Sequence, residues 1–201
     1  MIHKHKNTIL KKIGITGGIG AGKSMVGYVL EAMHFPVYYS DQESKKLVGS
    51  HPQIREELEK LLGNEIYLEN TLNRVFLAEK IFKDAEIREK VNAIIHPHVR
   101  LGFEKWATAQ QSKLVFNEAA ILFETGAYKI MDATILVTAP LEVKIQRVQS
   151  RDRITTEQVL ERMSNQWTDE QKIPLTDFIL VNDEVQPLLS QIEAVIEKLL
   201  I

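Results

Sequence analysis

The 201-residue chain contains no cysteine. That excludes a disulfide-built scaffold, a thiolate metal site and a cysteine nucleophile. It fits a reducing compartment without demanding one. Long apolar runs are missing too. None approaches the roughly 20 residues that cross a bilayer, and mean hydropathy is −0.14, so no contact with a membrane is expected. Neither sign of charge dominates: 25 Lys and Arg face 27 Asp and Glu, for a net charge of −2. A broad basic surface for gripping nucleic acid is thereby excluded. The first twelve residues mix His3, Lys4, His5 and Lys6 with little apolar content, which is not a secretory leader. Residues 4–12 read as a frayed, solvated tail. Glycine is scarce, with ten in all, yet Gly14, Gly17, Gly18, Gly20 and Gly22 crowd into nine residues. A chain that spends half its glycine in one place needs unusual backbone geometry there.

What is present is an alternation of short apolar runs with helical spacing. Runs at 13–16, 37–39, 113–116, 133–137 and 178–181 are apolar on successive residues, the pattern of strands covered on both faces. Helical spacing follows the first run (23–33), follows the fourth (141–151) and closes the chain (185–200). The expectation is an α/β fold: a parallel five-stranded sheet flanked by helices. Residues 41–111 break the alternation with helical patterns alone, around 54–62, 72–82, 87–95 and 99–109, with a helix break at Pro97. They read as a helical insertion. A smaller polar, arginine-rich insertion, 147–172, reads as a lid, and Thr155 with Gln158 forms a capping box inside it. The nucleotide-binding core is then 1–40, 112–146 and 173–201.

Gly17, Gly18, Ile19, Gly20, Ala21, Gly22, Lys23 and Ser24 satisfy G-x-x-x-x-G-K-[ST], between an expected strand and an expected helix. Backbone N–H groups of such a loop, Met25 included, turn inward on a phosphate, and the helix N-terminus adds partial positive charge. Lys23 can reach the β- and γ-phosphates, and the Ser24 hydroxyl can ligate Mg²⁺. A nucleoside triphosphate site leaves three classes open: switch GTPase, motor-type ATPase and small-molecule kinase. The guanine-reading Asn/Thr-Lys-x-Asp motif, the Asp-x-x-Gly switch and a transporter signature are all missing. A substrate-sized insertion and an arginine-rich lid fit a kinase. The rivals are a nucleoside or nucleotide kinase and a slowly hydrolysing binding switch.

Several side chains have two readings. Asp41, at the carboxyl end of the second strand, is a proton acceptor for an attacking hydroxyl or the N-cap of a helix beginning at Gln42. Arg147 and Arg151, four apart on one helix face, clamp phosphates or form a solvated basic face. Glu118, after the third sheet strand, holds Mg²⁺ through water or is simply an acid at a strand end. Glu124 binds substrate or fixes its loop. Val99, Phe103 and Trp106 form a helical stripe expected in the core.

Residues 15–24 resemble the opening of the dephospho-CoA kinase family, and the resemblance runs in order through almost the whole chain. Val37, Tyr38, Tyr39, Ser40 and Asp41 stand where that family has Val-Ile-Asp-Ala-Asp. Ile95, His96 and Pro97 match its His-Pro element. Ala120, Ile121, Leu122, Phe123 and Glu124 match Pro-Leu-Leu-Phe-Glu. Arg147, Arg151, Asp152, Arg162 and Gln166 match its lid region, and Asp177 through Asn182 its late strand. Two positions depart: Tyr39 replaces the first acid of Asp-x-Asp, leaving Asp41 to carry that function, and Ala120 replaces proline. The resemblance implies a P-loop kinase that uses ATP and Mg²⁺ to phosphorylate the 3′-hydroxyl of the ribose of dephospho-CoA. It implies catalytic roles for Asp41, Lys23 and Arg147, and ATP contacts from residues 17–25 and Arg151. Asp41, His96, Glu124 and Arg162 are implied on the acceptor side, with Ser24 and Glu118 at the metal. A cytoplasmic monomer or small homo-oligomer is expected.

Overall fold

The computed structural model describes residues 10–201. It divides into two compact units: the described residues up to Tyr38 together with Ala109–Ile201, and Tyr39–Thr108.

In chain order, β1 (Lys11–Thr16) leads through the glycine-rich loop into α1 (Lys23–Ala32), and β2 (Val37–Tyr39) comes next. The second unit then holds α2 (Ser40–Ser50), α3 (Pro52–Leu62), a hairpin of β3 (Tyr67–Leu68) and β4 (Thr71–Leu72), α4 (Arg74–Lys83) and α5 (Ala85–Thr108). The chain returns to the first unit as β5 (Leu114–Glu118), β6 (Ala133–Thr138), α6 (Leu141–Asp152), α7 (Thr156–Met163), α8 (Asp169–Lys172), β7 (Phe178–Val181) and α9 (Leu188–Leu200).

The five-stranded parallel sheet has the order β2-β5-β1-β6-β7. Its central strand β1 runs in register with β5 (Ile15 opposite Glu118) and with β6 (Ile15 opposite Ile135). Strand order reverses around β1, so the carboxyl end of that strand is the crevice where open α/β sheets bind ligands. The core explains why the strands read as continuous apolar runs. Ile13, Ile15, Leu114, Phe116, Ile135, Val137 and Leu180 from the sheet meet Val26 and Leu30 of α1 and Ile192, Val195, Ile196 and Leu199 of α9. Burying each such side chain is worth about 1.5–3 kcal/mol.

The second unit is built on α5, where Val91, Ile95, Val99, Phe103 and Ala107 recur every fourth residue as its buried stripe. Phe103 is fully buried and stacks on half-buried Trp106, ring centroids 6.1 Å apart.

Several expectations need correction. The insertion is not purely helical: the β3–β4 hairpin turns through Glu69 and Asn70, both at positive φ (47° and 67°). Leu72 belongs to it, and α4 begins at Arg74, capped by the Asn73 side chain. Pro97 does not break α5. The unbroken apolar stripe, packed against α2, outweighs the roughly 3 kcal/mol that an interior proline costs. The helix after β2 starts at Ser40, so Asp41 lies in its first turn rather than at its N-cap. The last helix starts at Leu188, after Pro187. Of the expected basic tail, residues 4–9 lie outside the described residues, whereas Lys11 and Lys12 open β1. There the Lys11 ammonium donates to the Leu199 carbonyl at 2.8 Å and the Lys12 N–H to the Asp132 carboxylate at 2.6 Å. Among the described residues no helix is long and apolar enough to cross a membrane.

The lid helix α7 opens on the capping box read from the sequence: the Thr155 hydroxyl accepts the Gln158 N–H, and the Gln158 side-chain oxygen accepts the Thr155 N–H at 3.0 Å. With Val159 its buried residue, α7 depends heavily on that cap. Thr155→Ala is expected to cost about 1 kcal/mol of local stability, read as faster amide hydrogen exchange confined to residues 156–163.

Candidate active site

The loop between β1 and α1 has its backbone fixed by glycine where nothing else fits. Gly20 sits at φ 80°, and a Cβ there would lie 2.5 Å from the Lys144 carbonyl oxygen. Gly22, at φ 96°, serves as the left-handed N-cap of α1, and a Cβ there would overlap the Asn182 side-chain amide. The loop's carbonyls are occupied from outside. Asn182, just past β7, donates its side-chain N–H to the Ala21 carbonyl at 2.9 Å. The Arg147 guanidinium reaches the carbonyls of Gly20 (3.3 Å) and Ala21 (3.5 Å), and is itself held by Asn182 and Glu184. On the near side the Lys23 ammonium donates to the carbonyls of Gly17 (3.0 Å) and Gly18 (3.3 Å). With the Gly20 and Ala21 carbonyls held by Arg147 and Asn182, the loop can turn N–H groups toward a ligand, joined by the first-turn N–H groups of α1 at Lys23 and Ser24, which have no intrahelical acceptor. The result is a concave site for an anionic phosphate chain.

A cavity of about 180 Å³ lies on this loop, lined by Gly20, Gly22, Lys23, Ser24, Arg147, Val148 and Arg151. Met25 is exposed in the first turn of α1, and Ala21 is fully buried behind the loop. Glu118 ends β5 one strand away from β1 and is buried. Its carboxylate and the Ser24 hydroxyl are both hard oxygen donors, the chemistry that suits Mg²⁺. Among the described residues no cluster of three or more His or acidic side chains could hold a metal alone.

Arg162 and Arg151 share one carboxylate, Asp152, at 2.7 Å each, and the Arg151 hydrogen bond holds Asp152 below the usual carboxylate range. Glu124 faces the lid root. Its carboxylate accepts the Trp167 N–H at 2.9 Å and pairs with the Lys172 ammonium at 3.0 Å, which favours loop fixing among its two readings. Asp41 and His96 belong to the second unit, Asp41 in the first turn of α2 and His96 midway along α5. Burial, and then the neighbouring Arg100 charge, push the His96 imidazole below its ordinary value.

Two residues at the loop have no role that the sequence alone assigns: Asn182, the loop's outer brace, and Gln166, whose side-chain oxygen accepts the Ile19 N–H at 3.1 Å. Both occur in the matched motifs, but an amide side chain announces no chemistry of its own.

Comparison with known proteins fits this geometry. A family model described as dephospho-CoA kinase matches residues 11–187. The chain belongs to the dephospho-CoA kinase family. It is 42% identical over 182 residues to the dephospho-CoA kinase of Bacteroides fragilis, covering 90% of this chain and 89% of that one. A solved Thermus thermophilus structure superposes with a TM-score of 0.81 at 32% identity, covering 96% and 97% of the two chains. The dephospho-CoA kinase of Campylobacter jejuni, at 22% identity and a TM-score of 0.66 over 93% and 96%, shares the fold.

Two outcomes are expected of this family member. Because the folded state disfavours His96 protonation, the unfolded chain binds the extra proton first as pH drops below about 6.5. Stability contributed by neutral His96 is therefore full above that pH and is lost as pH falls through the lowered folded value. Denaturation midpoints from pH 8 to pH 5 should decline less in His96→Gln than in the wild type. Gly20→Ala, strained at its φ and pressed on the Lys144 carbonyl, should weaken triphosphate binding at least about tenfold, as measured by calorimetry.

Proposed function

We propose that the chain transfers the γ-phosphoryl group of ATP to the 3′-hydroxyl of the ribose of dephospho-CoA, giving CoA and ADP. The observation that carries this reading is the braced phosphate loop, within a chain whose family match spans nearly its whole length.

Each part of the reaction falls to named residues of the chain. The amides of Gly18, Gly20, Gly22, Lys23 and Ser24 bind the triphosphate, whereas the Ile19, Ala21 and Met25 N–H groups are taken by Gln166 and by the Gly18 and Gly22 carbonyls. Lys23, now resting on loop carbonyls, moves onto the β- and γ-phosphates. Ser24, and Glu118 through water, would hold Mg²⁺, which when bound would neutralise charge on the phosphates. Arg147 braces the loop and, with Arg151, offsets charge that develops as the bond to ADP breaks. Residues 41–111, His96 among them, receive the acceptor, and Arg162 of the lid, residues 147–172, contributes to binding it. Asp41 aligns the 3′-hydroxyl and takes its proton as the new O–P bond forms. Phosphoryl transfer passes through a loose transition state, so alignment counts for more than full deprotonation. The lid excludes water that would otherwise accept the phosphoryl group. An enzyme acting on this small, soluble substrate is read as cytoplasmic.

Incubation with Mg²⁺-ATP and dephospho-CoA, in parallel with a panel of nucleosides and nucleotides, decides the acceptor. CoA formation well above the ATPase background is expected with dephospho-CoA alone, and none above background would refute the reading. Asp41→Asn should retain ATP binding and lose about 10²–10⁴-fold in turnover; unchanged turnover would remove Asp41 from the mechanism. Lys23→Ala should impair triphosphate binding whatever the acceptor.

A further inference from the structure

Lys172 is completely buried at the end of α8, in a lid region whose neighbouring residues are largely exposed. Its ammonium lies 3.0 Å from Glu124 Oε1, and the Glu124 side chain is only 14% exposed. Neither the ammonium nor Glu124 Oε2 makes a hydrogen bond in the structure. A buried ion pair with unsatisfied atoms is a poor source of stability, since apolar side chains of similar volume would do as well or better. Its geometry is specific, however. The same Glu124 oxygen accepts the Trp167 N–H at 2.9 Å, and the residue before Trp167 is Gln166. The Gln166 side-chain oxygen takes the Ile19 N–H at 3.1 Å, inside the phosphate loop. On the other side of this root, Asp169 pairs with Lys144 at 2.8 Å beside Gly18.

We propose that Lys172 is a positioning residue that acts through Glu124 and the Trp167 backbone to hold Gln166 on the phosphate loop, thereby setting the loop for ATP. Glu124 is on this account a pin for the lid root and not a ligand of the acceptor. The inference deepens the kinase reading and rests on it for the nucleotide. Loss of the Lys172 charge strands a buried carboxylate, which draws Trp167 and Gln166 away from Ile19. A loop displaced by about 1 Å at its rim binds and orients the phosphates less well.

The test measures ATP affinity by calorimetry, together with steady-state constants for both substrates. Lys172→Met should weaken ATP binding and raise the KM for ATP at least about tenfold, with the KM for dephospho-CoA within about twofold of wild type. In the double variant Glu124→Gln, Lys172→Met, the amide oxygen still accepts the Trp167 N–H and no buried charge is left alone, so most ATP affinity should return. Gln166→Ala should reproduce the loss of ATP affinity with an unshifted melting temperature. Folded Lys172→Met with unchanged ATP affinity overturns the proposal, as does an effect confined to the KM for dephospho-CoA. If Lys172→Met does not fold, Gln166→Ala decides: ATP affinity equal to wild type overturns the proposal, and a loss sustains it. ATP binding is read without any acceptor, so a wild-type enzyme that bound ATP but made no CoA would count against the kinase reading and leave this test intact.

Discussion

The site depends on one backbone constraint: the carbonyls of the phosphate loop must face away from the ligand. A peptide unit carries a donor and an acceptor of comparable strength, and a loop free to choose would present both. In this chain the choice is removed at Gly20 and Ala21 by two side chains from two elements. Asn182 beyond β7 takes the Ala21 carbonyl, and Arg147 of α6 reaches those of Gly20 and Ala21. Glycine at 20 and 22 is the complement of this arrangement, because the Lys144 backbone at one and the Asn182 brace at the other approach so closely that no Cβ fits. The glycine crowding in the sequence is thus as much a packing requirement as a conformational one.

The parallel sheet explains how such distant residues meet. β1 is central, with β5 on one side and β6 then β7 on the other. Parallel strands end at the same edge, so the carboxyl ends of β1, β5 and β7 bring the loop, Glu118 and Asn182 to one side of the sheet. Asp177, just before β7, secures that arrangement at the opposite end, accepting from the Thr134 N–H at 2.7 Å and the Thr134 hydroxyl at 2.9 Å. The register of β7 against β6 therefore fixes where Asn182 emerges.

Features carried by local pattern are legible in the sequence. The five sheet strands, the loop from Gly17 to Ser24 and the Thr155 capping box depend on apolar runs, glycine spacing and a hydroxyl three residues from an amide, all readable within a short window. Other features depend on tertiary context and are not. Pro97 reads as a stop, and only the buried stripe from Val91 to Ala107 shows why α5 passes through it. The β3–β4 hairpin has two-residue strands, too short for a period to emerge. Glu124 keeps two readings in the sequence because its partner, Lys172, is distant along the chain and looks like an ordinary surface lysine at the end of a polar segment.

The same pairings explain how a chain of net charge −2 can present a site for a polyanion. Most of the cationic charge around the loop is paired. Lys144 is neutralised by Asp169, Arg147 faces Glu184, and Arg151 and Arg162 share Asp152. A phosphate chain entering this site therefore also meets oriented backbone dipoles and the N-terminus of α1, whose attraction is short-ranged and fixed in direction. Such a field selects for the position of a phosphate more than for its total charge. A phosphoryl-transfer enzyme needs that selectivity, since its catalysis consists chiefly of alignment. Paired arginines also start from defined rotamers, so in the proposed reaction engaging a phosphate would exchange one carboxylate partner for another anion and would not have to order a free side chain.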